Sequence, residues 1–253
     1  MYFLLGNLAF LDIFFTSSTT PKLFAILVSD SRAIAKTDCI LQFYIYFSLG
    51  ATEFCILALM SFDRYVAISF PLRYCTIMTY QFCWSLITSS WIFGFLEFIP
   101  SVYLVSQFNW CHIPNYINHF FCDGSMLLYS SCSDTHVAEI MVFGFASFTI
   151  LASFITNLTS YCFILTSIFT ISSSEGRNKT FSTCSSHLLV LVFTYGSSIF
   201  IYVRKAGSLP TNLEKSFAIF NSILGPSLNP FIYTLRNKIV KRTIKNICRV
   251  KDH

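Results

Sequence analysis

Charge is what this chain has least of. Of its 253 residues only 11% are Asp, Glu, Lys or Arg, where an ordinary soluble domain carries about 25%. With 54% hydrophobic residues, 18% aromatics and a mean hydropathy of +0.61, a water-soluble core is a poor explanation. Short internal repeats, low-complexity tracts and any stretch composed like a soluble domain are missing too. The chain opens inside a hydrophobic block with no basic leader or cleavage site, so no signal peptide is expected. The catalytic vocabulary is equally thin. No HExxH, GxSxG or paired-histidine cluster occurs, which argues against a membrane enzyme, and no CxxC pair suggests zinc. Inverted repeats or paired broken helices, the usual mark of a transporter, are not visible.

What is present is a series of long apolar blocks. Residues 2–28 hold one acid (Asp12) and one base (Lys22), 40–62 hold only Glu53, and 84–108 hold only Glu97. Further blocks cover roughly 137–171, 180–203 and 216–235. Each reaches the roughly 20 residues a helix needs to cross a bilayer. The fold class expected is therefore all-α, a polytopic transmembrane helical bundle forming one domain over 1–253. Its spans should lie near 2–28, 39–68, 84–106, 136–169, 180–203 and 215–235, with a long loop at 106–135 and a tail at 236–253.

Loop charge sets the orientation. With both termini cytosolic, the inner segments carry Arg64, Arg73, Arg177, Lys179 and seven bases from Arg236 to Lys251. The outer loops carry Arg32, Lys36, Arg204, Lys205 and Lys215, and the 106–135 loop carries no Lys or Arg. Eleven bases inside against five outside follow the positive-inside rule. Cysteines agree: Cys111, Cys122 and Cys132 fall in the long outer loop and Cys39 at the outer end of the second span. An oxidising exterior permits disulfides among these four, with three pairings open. Cys55, Cys83, Cys162, Cys184 and Cys248 lie in spans or inside and read as free small residues.

Polar residues inside the blocks are the candidates for function. Asp12 lies about ten residues into its span, or ~15 Å, and Glu53 eleven residues outward of Arg64, or ~16 Å. Two carboxylates thus reach similar depth on different helices. Each costs on the order of 3 kcal/mol unless compensated. Asn229-Pro230 sits inside the last span, where proline removes a backbone hydrogen bond and kinks the helix. Asp63-Arg64-Tyr65 closes the second span, followed by Pro71 in an inner loop. On physical grounds alone Arg64 is an anchor, favourable to the helix dipole and able to reach the interface. Phe43, Phe47 and Gly50 share one helix face outward of Glu53, with Tyr46 alongside. Ile239, Val240, Ile244 and Ile247, with bases between, make the tail a basic amphipathic helix suited to membrane lipids of the inner leaflet.

Five segments carry a resemblance. "MSFDRYVAIS" (60–69) resembles the arginine motif of olfactory receptors, which are rhodopsin-like G protein-coupled receptors. "MYFLLGNLAFLD" (1–12) is similar to the start of that family's second helix, and "INHFFCD" with "CSDT" (117–123, 132–135) to its second outer loop. "KTFSTCSSHL" (179–188) resembles its sixth helix and "PSLNPFIYTLRN" (226–237) its seventh. Relative to that family the chain opens at the second helix, so six of the seven spans are expected.

The resemblance implies specific roles. It makes the product an odorant receptor of the plasma membrane, coupled to a heterotrimeric G protein of the olfactory stimulatory type, with no nucleic-acid partner and no enzymatic activity. It implies disulfides Cys39–Cys122 and Cys111–Cys132. Asp12 and Glu53, with Asn229 nearby, become acidic ligands of a possible sodium ion; no other cofactor is expected. Asp63, Arg64 and Tyr65 become a switch in which Asp63 holds Arg64 at rest, together with Tyr161, Tyr195 as toggle, and Asn229, Pro230 and Tyr233 as hinge. Phe145, Ala146 and Thr149 from the fifth-helix equivalent, and Ser198, Ile199 and Tyr202 from the sixth, should join Phe43, Tyr46, Phe47 and Gly50 around a small, mostly apolar volatile ligand. Thr194, Ser69 and Glu97 depart from the family pattern. Loss of the first helix strips packing from the second and last spans. Retention in the endoplasmic reticulum, and a truncated, non-signalling product of receptor ancestry, form the competing expectation.

Overall fold

The computed structural model describes residues 2–29, 34–109, 122, 124–129, 131–170, 173–202 and 219–236. The expected amphipathic tail from residue 237 onward and Cys111 lie outside them. Among the described residues four helical stretches are long and apolar enough to cross a membrane: Tyr2–Val28, Lys36–Ser69, Tyr80–Ser106 and His136–Phe169. In chain order the helices are α1 (Tyr2–Ser29), α2 (Lys36–Ser69), a 3-10 turn (Pro71–Arg73), α3 (Tyr74–Ile77) and α4 (Tyr80–Glu97). They continue as α5 (Ile99–Ser106), α6 (Gly124–Tyr129), α7 (His136–Phe169), α8 (Ser174–Tyr202), a π turn (Phe220–Leu224) and α9 (Gly225–Arg236).

α2 is the axis of the bundle and packs on α7, α4 and α1, while α9 lies against α1 and α8. The α2–α4 crossing is close because Gly94 has no side chain. A Cβ there would stand 2.8 Å from the Ser48 carbonyl and nearer still to Thr52 Oγ1. Small residues at a helix crossing let backbones approach, which is how helices associate where lipid and side chain are equally apolar. α1 turns Leu4, Leu8, Leu11 and Phe15 inward at helical spacing, with Asp12 on the same side.

The span expected at 84–106 is broken. α4 starts from the Thr79 side chain, which accepts the Phe82 amide at 3.2 Å, and ends at Glu97. Pro100 stands in the first turn of α5, where its missing N–H costs nothing but cannot continue the preceding ladder. The break places Glu97 and Phe98 side by side with opposite outlooks: Phe98 is 1% exposed, and Glu97 is only half-buried.

One end of the bundle is stitched by the Cys39–Cys122 disulfide, with a Cα–Cα distance of 5.3 Å. Beside it Gln42 donates to the Ser18 carbonyl at 2.8 Å and accepts the Cys122 amide at 3.0 Å, joining α1, α2 and the loop. Lys36 Nζ donates to the carbonyls of Ser106 and Phe108 at 3.1 and 2.6 Å, satisfying backbone acceptors where α5 ends. Cys132 is also disulfide-bonded. The opposite end carries Asp63-Arg64.

Candidate ligand cavity and polar seam

Below the disulfide end, α2, α7 and α8 enclose a cavity of about 40 Å³, tight as it stands. Tyr46, Phe47, Gly50, Ala146, Thr149 and Ser198 line it, as the sequence suggests. So do Phe15, Ala51, Glu53, Phe54, Phe98, Ile150 and Thr194, which sequence reasoning did not assign to a pocket. The wall is aromatic and aliphatic, with hydroxyls at Thr149, Thr194 and Ser198 and a carboxyl at Glu53.

Three expected pocket residues stand elsewhere. Phe43 is fully buried one turn above Phe47, its ring 4.7 Å from that of Phe47, and a Cβ on Gly124 would lie 3.2 Å from it. The short α6 therefore roofs Phe43 instead of leaving it open to the cavity. Phe145 is half-buried with its ring edge-on to that of Phe98 at 6.3 Å, and it lines a separate recess between α4 and α7. Ile199 is 47% exposed, because one residue past Ser198 is about 100° round the helix. The side chains of Tyr202, Pro230 and Tyr233 lie outside the described part of their helices.

A polar seam runs from the cavity towards the arginine end. Tyr195 adjoins the cavity-lining Thr194, and its ring sits 5.2 Å from that of Phe54. Its hydroxyl donates to Ser153 Oγ at 2.7 Å and accepts from Asn157 Nδ2 at 2.8 Å. Asn157 Oδ1 accepts the Ser61 hydroxyl of α2, so one buried amide joins α2, α7 and α8. One turn further, Tyr161 and His187 share a hydrogen bond at 2.8 Å between the phenol and Nδ1, their rings stacked. At the end of the seam Ser69 and Ser167 hydroxyls meet at 2.6 Å.

Asp63 is 1% exposed, and its Oδ1 accepts the hydroxyl of Tyr74 at 2.7 Å. Burial and then this bond hold the Tyr74 phenol above its ordinary range. Tyr74 belongs to the loop helix α3 and was not singled out by the sequence. Tyr65 is half-buried, its ring 5.5 Å from that of Phe163.

Asp12, Glu53 and Asn229 do converge. Asn229 Nδ2 lies 3.3 Å from both oxygens of Asp12, Glu53 is within electrostatic reach of Asp12, and all three residues are under 10% exposed. The two carboxyls are hard oxygen donors of the kind a hard cation takes, while Asn229 turns its amide nitrogen towards Asp12. Among the described residues no group of three or more His, Cys, Asp or Glu side chains is placed to hold a metal.

The family model described as olfactory receptor matches residues 1–251. The chain belongs to the olfactory receptor family. Rat olfactory receptor 287 (Rattus norvegicus) is 44% identical over 251 residues, covering 99% of this chain and 80% of the relative. Mouse olfactory receptor 6E1 (Mus musculus) is 45% identical over 246 residues, 97% of this chain and 78% of the relative. Human olfactory receptor 11H4 (Homo sapiens) is 42% identical over 247 residues, 98% and 76%. Olfactory receptors are G protein-coupled receptors of the membrane and not enzymes, and the all-helical bundle agrees. Ser61, Ser153, Asn157 and His187 are buried, hydrogen-bonded groups of the seam that sequence reading did not single out as site residues. Their signal was there: Thr149, Ser153, Asn157 and Tyr161 recur every four residues and so share one face of α7. Asn157 matched a glycosylation pattern in the sequence, but it is 4% exposed and fully engaged.

Proposed function

We propose that this olfactory receptor binds a small, mostly apolar volatile ligand in the cavity between Tyr46, Phe47, Gly50, Ala146, Thr149 and Ser198. The reading continues that the bound ligand activates a stimulatory heterotrimeric G protein at the Arg64 end, in the plasma membrane. The observation that carries it is Tyr195. Its ring packs at a tilt against Phe54, a cavity wall residue, while its hydroxyl holds the Asn157 amide that ties α7 to Ser61 of α2. A ligand that enlarges the cavity displaces Phe54 and Tyr195 and so biases a bistable contact between helices, which is what a switch requires. The 40 Å³ of free space makes that displacement necessary, since an odorant needs several times more.

At the far end the proposed change releases Arg64, with Asp63 retained on Tyr74. Asp12, Glu53 and Asn229 are proposed to hold a sodium ion that favours one arrangement. Bound sodium adds stability by mass action. The melting temperature should therefore be higher in sodium chloride than in choline chloride, and Asp12→Asn should abolish the difference.

The test of the whole reading is a cAMP assay in cells against a panel of volatiles, with surface display scored by an epitope tag in the 106–135 loop. The expected result is a response to at least one volatile that Arg64→Ala abolishes without reducing surface display. Displayed receptor that answers none of the panel, or an Arg64→Ala variant that signals as well as the parent, would sink the reading.

A further inference from the structure

A second recess lies on the opposite side of the α4–α7 contact from the ligand cavity. It is an open groove of about 620 Å³ whose walls include Ile92, Phe93 and Leu96 of α4 and Phe145 and Phe148 of α7. These side chains face outward, with Ile92 and Phe148 54% and 62% exposed, on a surface that the bilayer covers. One ionisable group lines it, Glu97. Glu97 Oε1 accepts the hydroxyl of Thr149, and Thr149 also lines the inner cavity. Oε2 is enclosed and has no hydrogen-bond partner. Among the described residues the carboxyl's hydrogen-bond partner is the Thr149 hydroxyl.

Such a group is out of place in a merely lipid-facing wall. An acidic residue inside a membrane costs on the order of 3 kcal/mol and is ordinarily paired or turned into a polar cavity. Here half of its acceptor capacity is unmet. The complement is a guest with a donating head of positive charge and an apolar tail. A hydroxyl would meet the acceptor alone; an ammonium meets both the acceptor and the charge. Phe93, Phe145 and Phe148 add ring faces, which attract an alkylammonium more strongly than a neutral head.

We infer that the α4–α7 groove is a second ligand site, entered from the bilayer, that takes hydrophobic aliphatic amines with the ammonium on Glu97 and the tail along Phe93, Phe145 and Phe148. Rotation of the Glu97 carboxyl about its terminal torsion, which is soft, presents Oε2 to the guest and loosens the bond to Thr149. Occupancy of the groove is thereby felt in the wall of the inner cavity. The inference does not depend on any odorant response, because binding alone reads it out.

The experiment is photoaffinity labelling of the full chain in phosphatidylcholine nanodiscs. The probe is an octylamine carrying a diazirine at the chain end, compared with its N-acetylated form of equal length. In the unmodified protein the amine should label peptides containing 92–97 and 145–148 about tenfold more than the acetylated probe, the factor expected of roughly one well-placed ionic contact. Glu97→Gln keeps an acceptor for Thr149 and should bring amine labelling down to the level of the acetylated probe. Thr149→Val leaves the carboxyl in place and should keep the amine preference. Equal labelling by both probes in the unmodified protein overturns the site without recourse to any variant. An amine preference that survives Glu97→Gln, or that is lost in Thr149→Val, also overturns it.

Discussion

α2 and α7 are the same length, 34 residues, and both are strongly apolar, yet they live in opposite surroundings. The most apolar stretch of α2, with mean hydropathy 1.6, is 72% buried in protein, while that of α7, with mean hydropathy 1.9, is 17% buried. The more hydrophobic helix is thus the more exposed one. In water this would be backwards. In a bilayer it follows directly, because lipid is as good a neighbour for leucine as another leucine is. Position is set instead by the polar groups, which need partners that lipid cannot supply. α7 turns Thr149, Ser153, Asn157 and Ser160 inward and leaves Phe148, Leu151, Ile155 and Leu158 to the bilayer. α2 has polar groups at Ser48, Thr52, Glu53, Ser61 and Asp63, buried along its length.

Substitutions matched across the two helices break or sharpen this contrast. The largest effect belongs to the glycines. Gly94→Ala drives a methyl against α2, and the fold should lose on the order of 3 kcal/mol as overpacking against backbone. Gly144→Ala on α7 meets nothing within 4 Å and should leave thermal stability in nanodiscs unchanged. Next come the leucines. Leu57→Ala opens a hole at a residue with no exposure and should cost roughly 2–5 kcal/mol. Leu158→Ala, at 55% exposure, should stay within about 0.5 kcal/mol; equal effects would mean that α7 is covered by protein.

Asn157→Leu makes α7 more apolar still, yet it should destabilise by about 1–3 kcal/mol, since the Ser61 and Tyr195 hydroxyls lose their partner. A stabilised variant would show that hydropathy and not polar pairing positions this helix. Of the substitutions at buried polar contacts, the smaller change is expected for Tyr74→Phe. It removes the donor to Asp63 at the end of α2 and should cost about 1 kcal/mol in stability while raising ligand-independent cAMP.

Much of this was legible in the sequence. Four of the six expected spans coincide with long apolar helices among the described residues, and residue counting puts Asp12 and Glu53 at similar depth, where Asn229 of α9 reaches Asp12 of α1. Helical spacing put Phe47 and Gly50 on the cavity and put Phe43 there wrongly, because nothing local announces that α6 folds down over it. The face of α8 was harder still: Ser198 and Ile199 are neighbours in the chain but only one points inward. Glu97 had no rationale until the break at Phe98 and the approach of Thr149 gave it a setting. Tyr74 was invisible for the same reason, since its partner Asp63 is eleven residues away on another element.

Glycine again supplies the cleanest probe of the proposed ligand cavity between α2, α7 and α8. A methyl at Gly50 meets nothing nearer than the Phe15 ring at 3.8 Å, so Gly50→Ala narrows the cavity without clashing. The measurement is the cAMP dose–response of an activating volatile on Gly50→Ala beside Gly144→Ala, at matched surface display. The account predicts that EC50 moves by about threefold to tenfold for Gly50→Ala, one methyl being worth of the order of 1 kcal/mol in such a pocket, with no movement for Gly144→Ala. Identical dose–response curves for both variants and the parent would contradict it.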